Sequence, residues 1–130
     1  MVDALHEATR ALRAGGTLID LRPDSGHPPR IRRGRSALGG LYEKRSTIGD
    51  NGASDRAVDR LVREGSLRPL RHGHFWYEIP HRDAAALAEF VAGSRRIGGY
   101  ARGTRAALAR DPDRPLVLRR ALKYGIYERR

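Results

Sequence analysis

The sequence contains no cysteine and no long apolar run. Without cysteine there are no disulfides and no thiolate metal ligands, which fits an intracellular protein. A membrane-spanning helix needs roughly 18 to 20 consecutive apolar residues, and no stretch of the chain approaches that length. The segment Met1–Glu7 has no basic leader followed by an apolar run, so it is not predicted to be a secretory signal. We therefore expect a cytoplasmic protein with no membrane partner.

Lysine and aromatic residues are scarce, yet the chain is strongly basic. Of its 26 basic residues, all but Lys44 and Lys123 are arginine, and the net charge is +11. Residues 95–130 hold eleven basic and three acidic side chains, a net +8. Such an excess favours a nucleic-acid partner, because basic side chains displace counterions from phosphates. A GC-rich coding sequence also produces abundant arginine, alanine and glycine, so the composition leaves both explanations open.

The hydrophobic pattern predicts helices and strands within one domain, residues 1–130. Helices are expected from Asp3 to Gly15, from Ser54 to Glu64, and over residues 83–92 and 100–110. Strands are expected over residues 17–21, 74–80 and 116–127, and a hairpin over residues 30–35 and 41–44. The apolar run of residues 17–21 suits a strand covered on both faces. Residues 47–52 are expected to form a polar loop, Gly39-Gly40 to lie at the hairpin turn, and Arg120 to mark a bulge or break. The predicted class is α+β, a small mixed or antiparallel sheet with flanking helices.

One segment near the amino terminus carries a signature. It reads Leu5-His6-Glu7-Ala8-Thr9-Arg10-Ala11-Leu12-Arg13-Ala14-Gly15-Gly16-Thr17-Leu18-Ile19-Asp20. It resembles the stretch of class I adenosylmethionine-dependent methyltransferases that joins a helix to the fifth strand of their sheet, although Ala14 stands where that family usually has proline. The later helix, aromatic strand and terminal strand are similar in order to the closing elements of the family. The resemblance implies the carboxyl-terminal half of such a domain.

The resemblance also implies that a methyl-donor pocket is missing. In the family, the donor lies at the first four strands, beside a glycine-rich turn, and no G-x-G-x-G turn follows a strand here. We therefore assign no cofactor-binding, catalytic or metal-binding residue. The expected function is that of a methyltransferase-like partial domain, inactive alone, which acts as a structural, ligand-binding or partner-completing module. The strand at residues 17–21 would lack the neighbour it has in the family, so a homo-oligomer, a partner chain or a rearranged sheet that covers this edge is expected.

An alternative function is RNA or DNA binding through the basic hairpin and the carboxyl-terminal surface. Arginine guanidinium groups contact phosphates, and an exposed tryptophan stacks on a base. The candidate residues are Arg30, Arg32, Arg33, Arg35, Trp76, Arg119, Arg120 and Lys123.

Two smaller groups of polar residues have both a chemical and a structural interpretation. His72, His74 and Glu78 share one face of a predicted strand, where they either hold a divalent metal or form a polar surface. The structural interpretation is favoured. Asp20 ends an apolar strand. It is either a functional carboxylate or a structural residue that pairs with Arg22 or caps the turn before Pro23, and the structural role is again favoured.

Overall fold

The structure, a computed structural model, describes residues 2–130, so Met1 lies outside it. Four helices and six strands occur within that range. In chain order they are α1 (Val2–Ala11), β1 (Thr17–Pro23), β2 (Arg30–Arg33), β3 (Ser36–Glu43), α2 (Arg45–Arg63), β4 (Leu67–His81), α3 (Ala84–Gly93), β5 (Ile97–Tyr100), α4 (Thr104–Ala109) and β6 (Leu116–Arg129). The predicted α+β class is confirmed. No helix of the described residues is both long enough and apolar enough to cross a membrane.

The six strands form one sheet organised around the long strand β6. β4 pairs with β6 along one side, while β1 and β2 share its other side. The sheet continues from β2 through β3 to β5. Every pairing is antiparallel. Consequently β1 and β4, which both flank β6, run parallel to each other.

The hydrophobic core lies on one face of this sheet. Leu116 and Leu118 of β6 and Ile31 of β2 pack there against Leu87 of α3 and Leu108 of α4. All five side chains are at most 5% exposed. Their removal from water is the main stabilising contribution in this half of the molecule.

The opposite face is partly covered by α2. Ala57, Val58 and Leu61 are the buried apolar side chains of this helix, three of the four positions predicted for its stripe. Arg22 of β1 reaches α2 from the sheet. The remainder of this face, around Trp76, stays partly exposed.

The start of α2 differs from the sequence prediction. The predicted loop at residues 47–52 is helical, and Ser54 lies within the helix rather than at its cap, with its hydroxyl donating to the Asp50 carbonyl at 3.1 Å. Tertiary hydrogen bonds stabilise this glycine-containing turn: Thr47 donates to the carbonyl of Arg96 at 3.2 Å, and Arg22 donates to that of Asn51 at 3.1 Å. Such long-range contacts override weak helix propensity.

The predicted hairpin turn and one predicted helix were wrong in position. The hairpin of β2 and β3 turns at Gly34, whereas Gly39 and Gly40 lie inside β3. The helix expected over residues 100–110 is limited to α4, because Tyr100 belongs to strand β5, which pairs with β3, and residues 101–103 form the turn between β5 and α4. A four-residue strand containing Gly98 and Gly99 gives almost no local strand signal.

β1 is less covered than its apolar sequence predicts. Ile19 is 66% exposed and Leu21 54% exposed, whereas the charged Arg22 is buried. β1 pairs only with β6, so it forms an edge of the sheet. The bulge expected at Arg120 is also absent: β6 pairs with β4 regularly there, and the register shift lies between Pro69 and Arg71.

Candidate nucleic-acid interface

Side chains from three strands meet on the partly exposed part of the sheet. Alternation along β4 points Trp76 and Glu78 to this face, and the pairing places Glu78 opposite Arg119 of β6. Arg119 in turn lies opposite Arg30 of β2. We call the five residues Arg30, Arg32, Trp76, Glu78 and Arg119 the arginine–tryptophan face.

The indole of Trp76 organises two of these arginines. The guanidinium carbon of Arg30 lies 5.1 Å from the centre of the ring, and that of Arg119 lies 5.2 Å from it. Each contact is a cation–π interaction, worth about 0.5 to 1 kcal/mol at an exposed site. Trp76 therefore holds two cationic groups from different strands close together.

Glu78 balances part of this charge. It accepts a hydrogen bond from Arg32, and its carboxylate lies 3.7 Å from the Nε of Arg119. The hydrogen bond from Arg32 and the charges of both arginines keep the pKa of Glu78 below its usual value. Three arginines and one glutamate leave the face with a net charge of about +2 at neutral pH.

Arg119 has an unused donor. Its Nε is buried and has no hydrogen-bond partner among the described residues. The Glu78 carboxylate, 3.7 Å away, offsets the charge of this group without forming a hydrogen bond to it.

The other predicted basic candidates have different positions. Arg33 donates to three carbonyl oxygens of the 111–115 loop, at 2.9 to 3.1 Å, and so holds that loop. Arg35 is exposed at the hairpin turn. Arg120 points to the opposite face, where its guanidinium lies 5.9 Å from the ring centre of Phe90. Lys123 binds Asp55 of α2. Thus four of the eight candidates, Arg30, Arg32, Trp76 and Arg119, form the arginine–tryptophan face.

The three polar candidates of β4 do not form one cluster. His74 and Glu78 are four residues apart on a strand, a distance of about 13 Å, and His72 is farther still from Glu78. Glu78 is engaged by Arg32 instead. These three residues therefore cannot share one metal ion.

A different pair of residues approaches His74. The loop after β1 turns back on itself at Asp24, and the imidazole of His27 stacks on His74 with ring centres 4.3 Å apart and 18° between the planes. Nδ1 of His27 lies 2.7 Å from Oδ2 of Asp24. Sequence reasoning missed Asp24 and His27, although Asp-Ser-Gly is a turn signal that could have indicated the loop.

Asp20 has the structural role that was favoured for it. Its carboxylate accepts hydrogen bonds from the Nε of Arg22 at 2.9 Å and from the Nη2 at 2.8 Å. Arg22 also binds Asp55 at 2.8 Å, which joins the edge strand to α2. A cleft of about 600 Å³ lies along this network and extends to His72 and His74.

The chain was compared with protein-family models, curated proteins and solved structures. No family model, no curated protein and no solved structure matches the chain.

Proposed function

We propose that the protein binds nucleic acid through its phosphates at the arginine–tryptophan face. One observation carries the proposal: Arg30 of β2 and Arg119 of β6 converge on the ring of Trp76 from β4. Guanidinium groups form charge-assisted, often bidentate hydrogen bonds with phosphate oxygens. Holding two of them on one ring reduces the side-chain entropy that binding would otherwise cost.

The surroundings of the face support a polyanionic ligand. Arg35 at the hairpin turn is exposed, and it lies on the same hairpin as Arg30 and Arg32. The net charge of +11 favours the approach of any polyanion. Because the two guanidinium groups already contact the ring of Trp76, the role of the tryptophan is to position the arginines.

The first prediction concerns the two arginines on the indole. The double variant Arg30→Ala/Arg119→Ala should bind a fluorescein-labelled single-stranded oligonucleotide about 100-fold more weakly, since each lost phosphate contact costs about tenfold. The slope of log affinity against log salt should fall by about 2. Fluorescence anisotropy at several salt concentrations measures both quantities.

The matched control removes the same charge elsewhere. Arg13 and Arg60 are both exposed and belong neither to the arginine–tryptophan face nor to the hairpin of β2 and β3, so Arg13→Ala/Arg60→Ala tests net charge alone. Trp76 is the only tryptophan in the chain, so its emission reports occupancy of the face directly. Equal losses in the two double variants, or saturated binding with unchanged Trp76 emission, would show that the site is elsewhere.

We propose as a second function that the chain is a methyltransferase-like partial domain completed by self-association. The supporting observation is the edge strand β1, which begins within the signature segment and exposes Ile19 and Leu21. The pairing of β1 with β6 is regular, without a bulge, and β1 contains no lysine. Bulges and lysines protect natural edge strands, and the other protective features of β1, Pro23 and the buried Arg22, lie at its carboxyl end, so the part around Ile19 is open to pairing with another strand. We commit to a second copy of this chain as the occupant.

The second prediction tests this edge. Sedimentation at micromolar concentration should show a dimer for the natural sequence and a monomer for Ile19→Lys/Leu21→Lys, because two charges would be placed at the new strand contact. Ile48→Lys is the control, since Ile48 is half exposed on α2. A monomeric natural protein would exclude self-association. Calorimetric binding of adenosylmethionine by the isolated chain would contradict the partial-domain proposal.

A further inference from the structure

We infer that Asp24, His27 and His74 form a binding site for Zn²⁺. Each residue offers one donor atom, and the three donor atoms all lie within 4.8 Å of one another. Two imidazole nitrogens and one carboxylate oxygen are a ligand set that zinc accepts. This site lies on the same face as Trp76 but uses none of the residues of the arginine–tryptophan face.

The loop after β1 holds two of the ligands in place. The backbone N–H of His27 donates to the Asp24 carbonyl at 3.1 Å, and this turn brings the imidazole beside the carboxylate. The N–H of Gly26 donates to Oδ1 of Asp24 at 3.0 Å, which orients the carboxylate. Oδ2 then lies 2.7 Å from Nδ1 of His27, so these two donor atoms need to separate by about 0.6 Å for a cation to take the place of the proton between them.

Neighbouring side chains fix the loop against the rest of the molecule. The hydroxyl of Ser25 donates to Glu43 at 2.6 Å, and the side-chain amide of Asn51 donates to Ser25. The ring of Trp76 is nearly perpendicular to the ring of His27, and the two ring centres are 5.9 Å apart. These contacts hold in place the loop that carries Asp24 and His27.

The third ligand comes from β4. His74 is exposed, and its ring is stacked on that of His27. Tetrahedral bonds of about 2.0 to 2.1 Å bring donor atoms to about 3.3 Å apart. The donor atoms, which lie up to 4.8 Å apart, therefore need to close by up to about 1.5 Å, a movement that rotation of the exposed His74 side chain provides. The fourth coordination position is left to water or an anion.

The charges around the site allow a dication. Lys123 lies opposite His74 in the sheet, but its ammonium is bound to Asp55. Arg22 is likewise bound to Asp20 and Asp55. The positive charges of Lys123 and Arg22 are therefore already balanced by carboxylates. The Asp24 carboxylate remains available to offset part of the charge of a zinc ion.

The third prediction is measured by calorimetric titration of the full chain with zinc chloride at neutral pH, after treatment with a chelator. We expect one zinc ion per chain, and affinity reduced more than about 100-fold in His74→Ala and in His27→Ala, since even outer-shell changes cost 10- to 100-fold. His72→Ala is the matched control, because His72 is also exposed and lies two residues away on the same face of β4. Cobalt added instead of zinc should give visible absorption bands of a tetrahedral site.

Three results would overturn the inference. They are the absence of binding by the natural protein, affinity unchanged in His74→Ala, and an equal loss in His72→Ala. Because His74 is exposed, its replacement should leave the circular dichroism spectrum unchanged, so a lost signal would report lost ligation rather than unfolding.

Discussion

We expect Arg22→Ala to lower the free energy of unfolding by about 3 kcal/mol, because the carboxylates of Asp20 and Asp55 would lose their buried cationic partner. The Arg22 side chain is only 7% exposed, and that of Asp20 is 18% exposed. Arg22 also donates to Asp55 and to the carbonyl of Asn51, so one substitution removes the contacts that tie β1 to α2. Urea denaturation followed by circular dichroism measures the loss.

A surface ion pair provides the comparison. Arg10 and Glu7 in α1 are joined at 2.6 Å, yet their side chains are 77% and 66% exposed. Such a pair contributes about 0.2 to 0.5 kcal/mol, so Arg10→Ala should change stability little. If the two variants lose equal stability, burial of Arg22 does not control the strength of its contacts.

The pH dependence gives an independent test of the same network. Burial alone would raise the pKa of Asp55, but hydrogen bonds from Lys123 and Arg22 outweigh it, and the pKa lies below its usual value. A lowered pKa in the folded state means that ionised Asp55 stabilises the protein above the unfolded pKa of about 4. This contribution is lost as the pH falls through the folded pKa. The stability difference between the natural protein and Arg22→Ala should therefore narrow in acid.

The elements that sequence reasoning found are those with strong local signals. Asp83 precedes an alanine-rich run, and in the structure its carboxylate accepts the Ala86 N–H at 2.8 Å as the cap of α3. The aromatic and β-branched residues of β4 and the apolar alternation of β6 likewise identified two strands. Local propensity and long-range pairing agree in these segments.

The elements that were missed depend on contacts distant in sequence. β5 is four residues long and forms because β3 lies beside it. The first turns of α2 contain Gly49, Asn51 and Gly52, and they are held by bonds to the Ser94–Ile97 segment and to β1. No local pattern could indicate these partners.

The candidate site was predictable in composition but not in detail. Alternation correctly placed Arg30 and Arg32 on one face, yet it could not decide between Arg119 and Arg120. The register of β6 against β2 decides this, since it sets Arg119 opposite Arg30 and sends Arg120 to the core side. The proposed metal site was beyond prediction, because Asp24 and His27 meet His74 from 47 to 50 residues away in sequence.

Gly39 lies inside strand β3, yet its position requires a glycine. Its replacement is the second substitution for which we expect a large loss of stability. We expect Gly39→Ala to cost about 3 kcal/mol of unfolding free energy. Its φ of +123° is unfavourable for any side chain, and an added Cβ would lie 2.1 Å from the hydroxyl oxygen of Thr104. Thr104 is fully buried and cannot move freely, because its hydroxyl is hydrogen-bonded to both the N–H and the carbonyl of Gly40 at 3.0 and 3.1 Å.

Gly34→Asn is the control for Gly39→Ala. It also replaces a glycine of positive φ, but it creates no contact like that between a Cβ at position 39 and Thr104. Gly34 also has positive φ, +57°, but an added Cβ would meet nothing within 4 Å. Asparagine adopts that left-handed conformation at little cost, so the variant should stay within about 0.5 kcal/mol of the natural protein. Thermal or urea denaturation of both variants measures the difference. If Gly39→Ala is as stable as Gly34→Asn, then α4 does not pack against β3 through Thr104, and the covering of the core by α4 must be arranged differently.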